Sequence, residues 1–356
     1  MNVLVYDVAA SSGGALSVLK DYYNSYAANS DGNHYYFVIS TPELASTADI
    51  TILRYPWIKK SWFHRLWFDY VVAPELVKKL KIDTVFSLQN TLLPRIGIPQ
   101  TVYLHQGLPF AKYKFSFFEN KIFWIYQNVI SSFIFDAVKD AQKVIVQTKW
   151  IKDACVEKCG VNPDKIVVEM PELDKTQLKK WADTTESRRT FFYPATPLLY
   201  KNHRVILEAC KALKNQGIND YNVIFTFNGT ENKLAGELKT FVDKYELPVV
   251  FAGVMTRECV YEQYAKSVLI FPSYIETLGL PLLEARLTGC PIIAADTPFA
   301  REILDGYDKK RIFAIGACED LKSIMCCSIN WRKNMISVEG LTVEFGGFTL
   351  FDDVSF

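Results

Sequence analysis

The chain has 356 residues, of which 49% are hydrophobic, 14% aromatic and 22% charged, enough apolar material for a sizeable core and too much for a disordered chain. Forty Lys and Arg against 39 Asp and Glu leave a net charge of +1, which argues against a dedicated nucleic-acid protein, since phosphate backbones are bound by a concentrated basic field. At roughly 150 residues per domain, the length predicts two domains.

Met1 to Tyr6 runs straight into a strand-like segment, with neither a basic leader nor a small-residue cleavage site, so no secretory signal is expected. The longest apolar stretch, Ile122 to Val138, is broken by Gln127, Asn128, Ser131, Ser132 and Asp136. It falls short of the roughly 18 continuous apolar residues of a spanning helix. The eight cysteines, Cys155/Cys159 and Cys326/Cys327 among them, lack the paired spacing of a zinc site and do not make a disulfide scaffold in a chain this long. Reduced thiols and no bound metal are the expectation.

In chain order, strands are predicted at Val3–Val8, Tyr35–Ile39, Thr84–Leu88, Thr101–Leu104 and Lys143–Gln147. Helices are predicted near Ala15–Ala28, Ala73–Leu80, Phe117–Ala137 and Lys149–Lys158. Such alternation predicts an α/β domain with a largely parallel sheet over residues 1–170. Met170-Pro171-Glu172-Leu173-Asp174 and the charged stretch to Arg189 read as a linker over 171–189. The alternation restarts at Thr190–Tyr193 and continues through His203–Leu213, Asn222–Phe227, Asn232–Tyr245, Val249–Ala252, Glu258–Lys266, Val268–Phe271, Pro281–Thr288, Pro291–Ala294 and Arg311–Ile315. That gives a second domain over 190–328, with Lys322–Asn334 closing it weakly. Two such sheets can face a shared cleft at their carboxyl ends, a usual place for a nucleotide.

The most informative string is Phe271-Pro272-Ser273-Tyr274-Ile275-Glu276-Thr277-Leu278-Gly279-Leu280-Pro281-Leu282-Leu283-Glu284-Ala285. A strand ends at Pro272, a loop holds Glu276 and Gly279, and a helix is expected to start with Pro281 in its first position. The N–H groups of that helix start suit a diphosphate, and Glu276 and Glu284 offer acceptors for sugar or ribose hydroxyls. Two glutamates at this spacing would alone be compatible with a solvated loop charge and a helix-dipole glutamate. The whole string resembles the Glu-x7-Glu signature of retaining glycosyltransferase family 4, of GT-B fold, and the resemblance covers about residues 1–328.

The resemblance implies two Rossmann-like domains facing a cleft, the first holding the acceptor and the second the nucleotide-sugar donor. It implies that Glu284 binds the nucleotide ribose, that Glu276 contacts the donor sugar, and that the amides of Thr277, Leu278, Gly279 and Leu280 surround sugar and phosphate. Lys201, in Tyr193-Pro194-Ala195-Thr196-Pro197-Leu198-Leu199-Tyr200-Lys201, matches the family lysine that neutralises the donor diphosphate. The family's usual arginine six residues earlier is Ala195 here, which leaves a second cation unassigned. Gly13 and Gly14, in Ser11-Ser12-Gly13-Gly14-Ala15, are similar to the glycine-rich loop beside diphosphate and acceptor. His105, in Tyr103-Leu104-His105-Gln106-Gly107, is similar to the strand-end histidine near the donor sugar. Asn228 and Gly229 after one strand, and Gly253 and Val254 after another, match loops beside the nucleotide. His34 and His64 have no supporting context, and His203 reads as helix-start structure.

Aromatic and basic residues interleave over Tyr55–Tyr70 and Ala111–Phe135. This suits either a membrane interface or a core-facing aromatic helix with solvated lysines. The resemblance thus implies retaining transfer from a nucleotide diphosphate sugar to a hydroxyl acceptor, which a lipid could carry, in cell-surface polysaccharide or glycolipid biosynthesis. No metal-ligand cluster is visible, so no metal or other cofactor is expected; the balanced charge argues against nucleic acid, and a cytoplasmic enzyme, at the inner face of the membrane where the acceptor is lipid-linked, is the expectation.

From Met335 the chain changes character. Ile336–Phe345 alternates like a strand, Gly346-Gly347 signals a hairpin, and Leu350–Phe356 follows. Residues 335–356 resemble the first strands of an ABC-type ATPase domain of the ABC-F group, without its phosphate-binding glycine-rich loop, so an ATP-binding module is disfavoured. They are expected to be a joined fragment, an artefact or a true fusion, that replaces the family's last helix. Together with Ala195 this keeps open an inactive remnant that binds sugar nucleotide or membrane.

Overall fold

A computed structural model describes residues 1–330 except Ser12, Ser30, Glu172 and Asp174, with Lys175 as backbone only, and the backbone of Leu341–Phe345 and Phe348–Val354. The first sheet contains β1 (Asn2–Asp7), β2 (His34–Ile39), β3 (Ile50–Arg54), β4 (Thr84–Ser87), β5 (Gln100–Leu104), β6 (Lys143–Val146) and β7 (Ile166–Val168). Their order is β3-β2-β1-β4-β5-β6-β7. The second contains β8 (Thr190–Tyr193), β9 (Asn222–Phe225), β10 (Val249–Phe251), β11 (Val268–Phe271), β12 (Ile292–Ala295) and β13 (Lys310–Phe313), in the order β10-β9-β8-β11-β12-β13. Both orders reverse direction once, at β1/β4 and at β8/β11, and β1 and β8 each pair in parallel with both neighbours. Reversal points open a crevice at strand carboxyl ends, where ligands of open α/β sheets bind.

The period of two along β1 sorts its side chains onto two faces. Val3 and Val5 pack under α1 (Gly13–Ala28) with Leu19. Leu4, Tyr6 and Val8 pack under α3 (Ala73–Lys79) and the π-helical turn at Phe68–Val72 that continues α2 (Trp62–Trp67). On β5 and β6, Val102, Leu104, Val144 and Val146 meet α5 (Ser131–Asp140) and α6 (Lys149–Cys159). The register aligns Tyr6 with Ser87, Ser87 with Val102 and Val102 with Val144, so these two helical layers share one face of the sheet. Each fully buried aromatic or aliphatic side chain here contributes about 1.5–3 kcal/mol.

The remaining helices are α7 (Thr185–Arg189), α8 (His203–Asn215), α9 (Lys233–Tyr245), α10 (Arg257–Tyr264), α11 (Leu280–Thr288), α12 (Pro298–Ile303) and α13 (Cys318–Ile329). Contacts divide the chain into two compact units. One is Met1–Thr176 with Ser273–Glu284 and Ala295–Asp308; the other is Gln177–Pro272 with Ala285–Ala294 and Lys309–Phe356.

Several expectations change. The strands β3 and β7 and the helices α2, α7 and α12 were not predicted; the outward face of α2 and its π-helical continuation is apolar and hid their period, whereas α3 lies where Ala73–Leu80 was expected. The helix expected from Phe117 starts instead as α4 (Lys121–Ile125), because the Asn120 side chain accepts the Phe123 N–H at 3.0 Å and caps it. A π turn at Tyr126–Ile130 then joins α4 to α5. Pro281 is the second residue of α11, not the first. In the tail, β14 (Leu341–Phe345) and β15 (Phe348–Val354) pair antiparallel, as the hairpin signal predicts. Ile336–Gly340, the junction at 331–335, the Gly346-Gly347 turn, and Glu172 and Asp174 of the linker lie outside the described residues. Among the described residues no helix is long and apolar enough to cross a membrane.

Candidate functional site

In the first unit, the loops after β5 and β6 converge on the Ser273–Glu284 segment, and the loop after β4 braces the first of them. His105 directly follows β5. Its backbone N–H donates to Asn90 Oδ1 at 2.7 Å, which turns the Asn90 amide nitrogen toward the ring, 3.2 Å from Nε2. Nε2 is then the acceptor and Nδ1 carries the proton. Nδ1 is enclosed with no protein partner among the described residues, and burial pushes the ring's pKa down to about 4, so it is neutral near pH 7. Asn90, held at φ +67°, was not anticipated; its position at the end of β4 is the signal that could have found it.

Two residues further on, Gly107 is buried, and a Cβ there would lie 3.1 Å from both the carbonyl carbon and oxygen of Glu276. The loop after β5 therefore rests on the peptide of Glu276. The Glu276 carboxylate accepts the Ser273 hydroxyl at 2.7 Å, and Ser273 is fully buried. Next along the chain, the Thr277 carbonyl accepts from Thr148 Oγ1 and from Trp150 Nε1, both at 2.8 Å, and the Thr277 hydroxyl donates to Gln147 Oε1 at 2.9 Å. These three residues follow β6 or open α6. The hydroxyl proton and the carbonyl of Thr277 are thus both engaged by the first domain's strand ends. Glu302 of α12 reinforces the anchorage, accepting the N–H groups of Lys149 and Trp150 at 2.7 and 2.8 Å.

Gly279 has φ +75°, which favours glycine, and its carbonyl accepts the Leu282 N–H at 2.8 Å as α11 begins. Leu278 is buried and Leu280 half-buried. Glu284 is only 5% exposed on α11, a buried carboxylate with protein contacts of its own. Gly13 opens α1 with φ +62°, and an added Cβ at Gly13 or Gly14 would meet nothing within 4 Å, so packing is not what excludes a side chain there. Ser12 of that loop lies outside the described residues.

In the second unit the loops after β8, β9 and β10 are tied together. The Tyr193 hydroxyl donates to the Lys201 carbonyl at 2.8 Å and pins the short 3-10 turn Leu199–Lys201. The Asn232 side chain donates to the Pro197 carbonyl at 2.9 Å. A Cβ on Gly253 would lie 2.8 Å from Asn228 Oδ1, so Asn228 and Gly253 are in contact, whereas Val254 is 88% exposed. The N–H groups of Asn228, Gly229 and Thr230 all donate to the carboxylate of Glu231, at 2.5, 3.0 and 3.0 Å, and these bonds lower its pKa. The amides expected beside a nucleotide are thus engaged within their own loop. Ala195 is buried and presents nothing to solvent. His203 is caged by the rings of Tyr193, Phe225 and Phe227, and burial pushes its pKa down to about 3, which fits its structural reading.

Among the described residues no group of three or more His, Cys, Asp and Glu could hold a metal ion. Trp62, Phe63, Trp67, Phe117 and Phe118 are exposed, which rules out the core-facing reading for them.

Residues 174–325 match the family described as Glycosyl transferases group 1. Over 272 residues the chain is 23% identical to the O-antigen chain mannosyltransferase RfbU of Salmonella typhimurium, covering 76% of this chain and 70% of that protein. Over 197 residues it is 29% identical to the D-inositol 3-phosphate glycosyltransferase of Corynebacterium kroppenstedtii, covering 48% of this chain and 44% of that protein. The crystal structure of Anabaena HepE in complex with UDP and glucose aligns with a TM-score of 0.65 at 16% identity, over 93% of this chain and 90% of that one, a likeness of fold. The family match ends before the ABC-like tail and lends that resemblance no support. The fold is thus a GT-B architecture of two Rossmann-like sheets, residues 174–325 are similar to group 1 glycosyl transferases, and the chain is an enzyme of the glycosyltransferase class.

Proposed function

We propose that the chain transfers a sugar, with retention at the anomeric carbon, from a nucleotide diphosphate sugar to a hydroxyl acceptor in cell-surface polysaccharide or glycolipid biosynthesis. The acceptor belongs to the first domain and the donor to the second. What supports this reading above all is the anchorage of the Ser273–Leu280 loop: Gly107 lies against the Glu276 peptide while Thr148, Trp150 and Gln147 hold Thr277. A loop held at four points by other strand ends is preorganised, and preorganised dipoles are what stabilise a developing charge.

In this reading Glu276 and neutral His105 position the donor sugar. Lys201 and the amides of Thr277, Leu278, Gly279 and Leu280 take the diphosphate charge as it leaves, without a metal. Glu284 takes the ribose hydroxyls, and the loops of Asn228, Gly229, Gly253 and Val254 flank the nucleotide. Gly13 and Gly14 allow close backbone approach to the diphosphate and acceptor. The Glu231 carboxylate would have to yield its three amides before any of them reached a phosphate. RfbU is named as a mannosyltransferase and HepE was crystallised with UDP and glucose, which favours a hexosyl donor.

The missing arginine at Ala195 favours the second reading, a binding remnant without turnover. A thermal-shift panel of UDP-, GDP- and ADP-sugars followed by donor turnover separates the two. A sugar nucleotide that raises Tm and is consumed supports the transferase; a raised Tm with no turnover on any donor supports the remnant.

A further inference from the structure

At the carboxyl end of β1 a cavity of about 290 Å³ opens between Val8 and Ala9 on one side and Ile58, Lys59, Trp62 and Arg65 on the other. Its two cations are held differently. Arg65 donates from Nε to Asp69 Oδ2 at 2.8 Å, and the Tyr6 hydroxyl donates to the other oxygen of Asp69. That carboxylate is therefore satisfied by two donors and balances one charge. Lys59 donates from Nζ to the Ala9 carbonyl at 3.1 Å and has no carboxylate partner among the described residues. Beneath them Asp7 is 1% exposed. Its Oδ1 accepts the Ala10 N–H at 2.9 Å, while Oδ2 is enclosed without a partner. Burial pushes the Asp7 pKa up to about 7, against the pull of Arg65 and Lys59, so near neutrality it does not carry a full opposing charge. Lys59 therefore brings to the cavity a positive charge that no ion pair among the described residues cancels.

The helical segment that leaves this cavity is inverted. Trp62, Phe63, Leu66, Trp67 and Tyr70 recur at helical spacing, yet they are between 39% and 72% exposed, while Phe68 is fully buried. From Pro56 to Phe68 the segment carries Lys59, Lys60 and Arg65 and no acidic residue. An outward apolar stripe flanked by cations complements an anionic amphiphile: rings at the boundary, cations on phosphate.

We propose that the cavity binds the phosphate of a lipid-linked acceptor, with Lys59 and Arg65 on the phosphate and the Trp62–Tyr70 face against the lipid surface. The inference rests on the reading of the chain as a transferase to a hydroxyl acceptor and names that acceptor's class, a lipid carrying a phosphate close to the accepting hydroxyl. The cavity lies just before the Gly13 turn, at the point where the strand order of the first sheet reverses.

The test is co-sedimentation of the full chain with phosphatidylcholine vesicles, with and without hexadecyl phosphate, and with inorganic phosphate as a soluble competitor. Hexadecyl phosphate should raise partitioning at least about tenfold. Lys59→Gln should lose more than about tenfold of that gain, since a charge-assisted hydrogen bond goes with the charge. Lys60→Gln, outside the cavity, should lose only the roughly fivefold due to general attraction. Equal losses for the two variants would overturn the proposal by reducing it to surface charge. Competition by inorganic phosphate as effective as the lipid would overturn the lipid part, and a dimer in vesicle-free solution that Trp62→Ala dissociates would reassign the face to a second copy. Nucleotide thermal shifts on the same proteins keep the two readings apart: no donor response with intact phosphate binding sinks the transferase reading and leaves the cavity, and the converse sinks the cavity alone.

Discussion

Gly107→Ala places one methyl group between the loop of His105 and the loop of Glu276. Gly107 sits at φ −83°, ψ −22°, a conformation alanine adopts freely, so the backbone itself resists nothing. Removing glycine's freedom from the unfolded chain should even gain about 0.4–1 kcal/mol. The new Cβ, however, would lie 3.1 Å from the Glu276 carbonyl carbon and oxygen and 3.4 Å from Ile275 Cγ2, contacts that require a few tenths of an ångström of movement. The obstacle is backbone, held one residue later by the bonds from Thr148 and Trp150 to the Thr277 carbonyl, so it cannot swing aside as a flexible side chain would. Overpacking of this kind costs about 1–3 kcal/mol, which leaves a net loss of roughly 0–2.5 kcal/mol, a few degrees in Tm. Since misplacement by about 1 Å can cost on the order of a hundredfold in rate, a third of that displacement should cost about fivefold. The assay is kcat and KM on the donor identified by thermal shift, beside Tm with and without nucleotide. The expected outcome is a fall in kcat of about three- to tenfold, a modest loss of Tm and an unchanged nucleotide-induced shift. A kcat equal to the parent's would refute the argument that Gly107 sets the position of Glu276, and a lost nucleotide shift would mean that the damage had spread beyond the loop.

Gly14→Ala should be neutral or stabilising by up to about 1 kcal/mol, because its Cβ would meet no atom within 4 Å and alanine favours the first turn of α1; activity should nevertheless drop if a ligand approaches that backbone, and full activity in urea-matched assays would remove Gly14 from the site. Glu276→Gln keeps an oxygen for the Ser273 hydroxyl, so Tm should hold while donor turnover falls by roughly a hundredfold or more; equal turnover would dismiss the carboxylate as a sugar contact. His203 has a folded pKa near 3, below its ordinary 6.5, so its stability contribution is present above that ordinary value and lost as pH falls toward 3. From pH 7 to about pH 5 that loss is about 2 kcal/mol, and urea midpoints should show His203→Leu less acid-sensitive than the parent by this amount; identical pH slopes would contradict the aromatic cage as its cause. Asp7 runs the other way, its folded pKa near 7 adding stability as pH falls through 7 toward its ordinary value, so Asp7→Asn should steepen the acid loss, with parallel curves as the refuting result.

What could be read from the sequence depended on how far each residue's role is set by its near neighbours in the chain. The two parallel sheets were legible because short apolar runs such as Val268–Phe271 alternate with periodic helices, and the Ser273–Glu284 loop because strand end, glycine, helix start and both glutamates lie in one string. The run from Trp62 to Tyr70 was not legible as a helix, because periodicity locates a helix by the face it buries and this one turns its apolar face outward. Nor could residue types reveal that three amides of the Asn228 loop are already taken by Glu231, since a sequence gives donors without their engagements. Gly107 marks the limit most clearly. Between His105 and Leu108 it reads as an ordinary turn glycine, yet its φ is negative and the local backbone would accept alanine. What excludes a side chain there is the peptide of Glu276, contributed by a distant part of the chain, so the constraint that joins the two halves of the candidate donor site has no local signature at all.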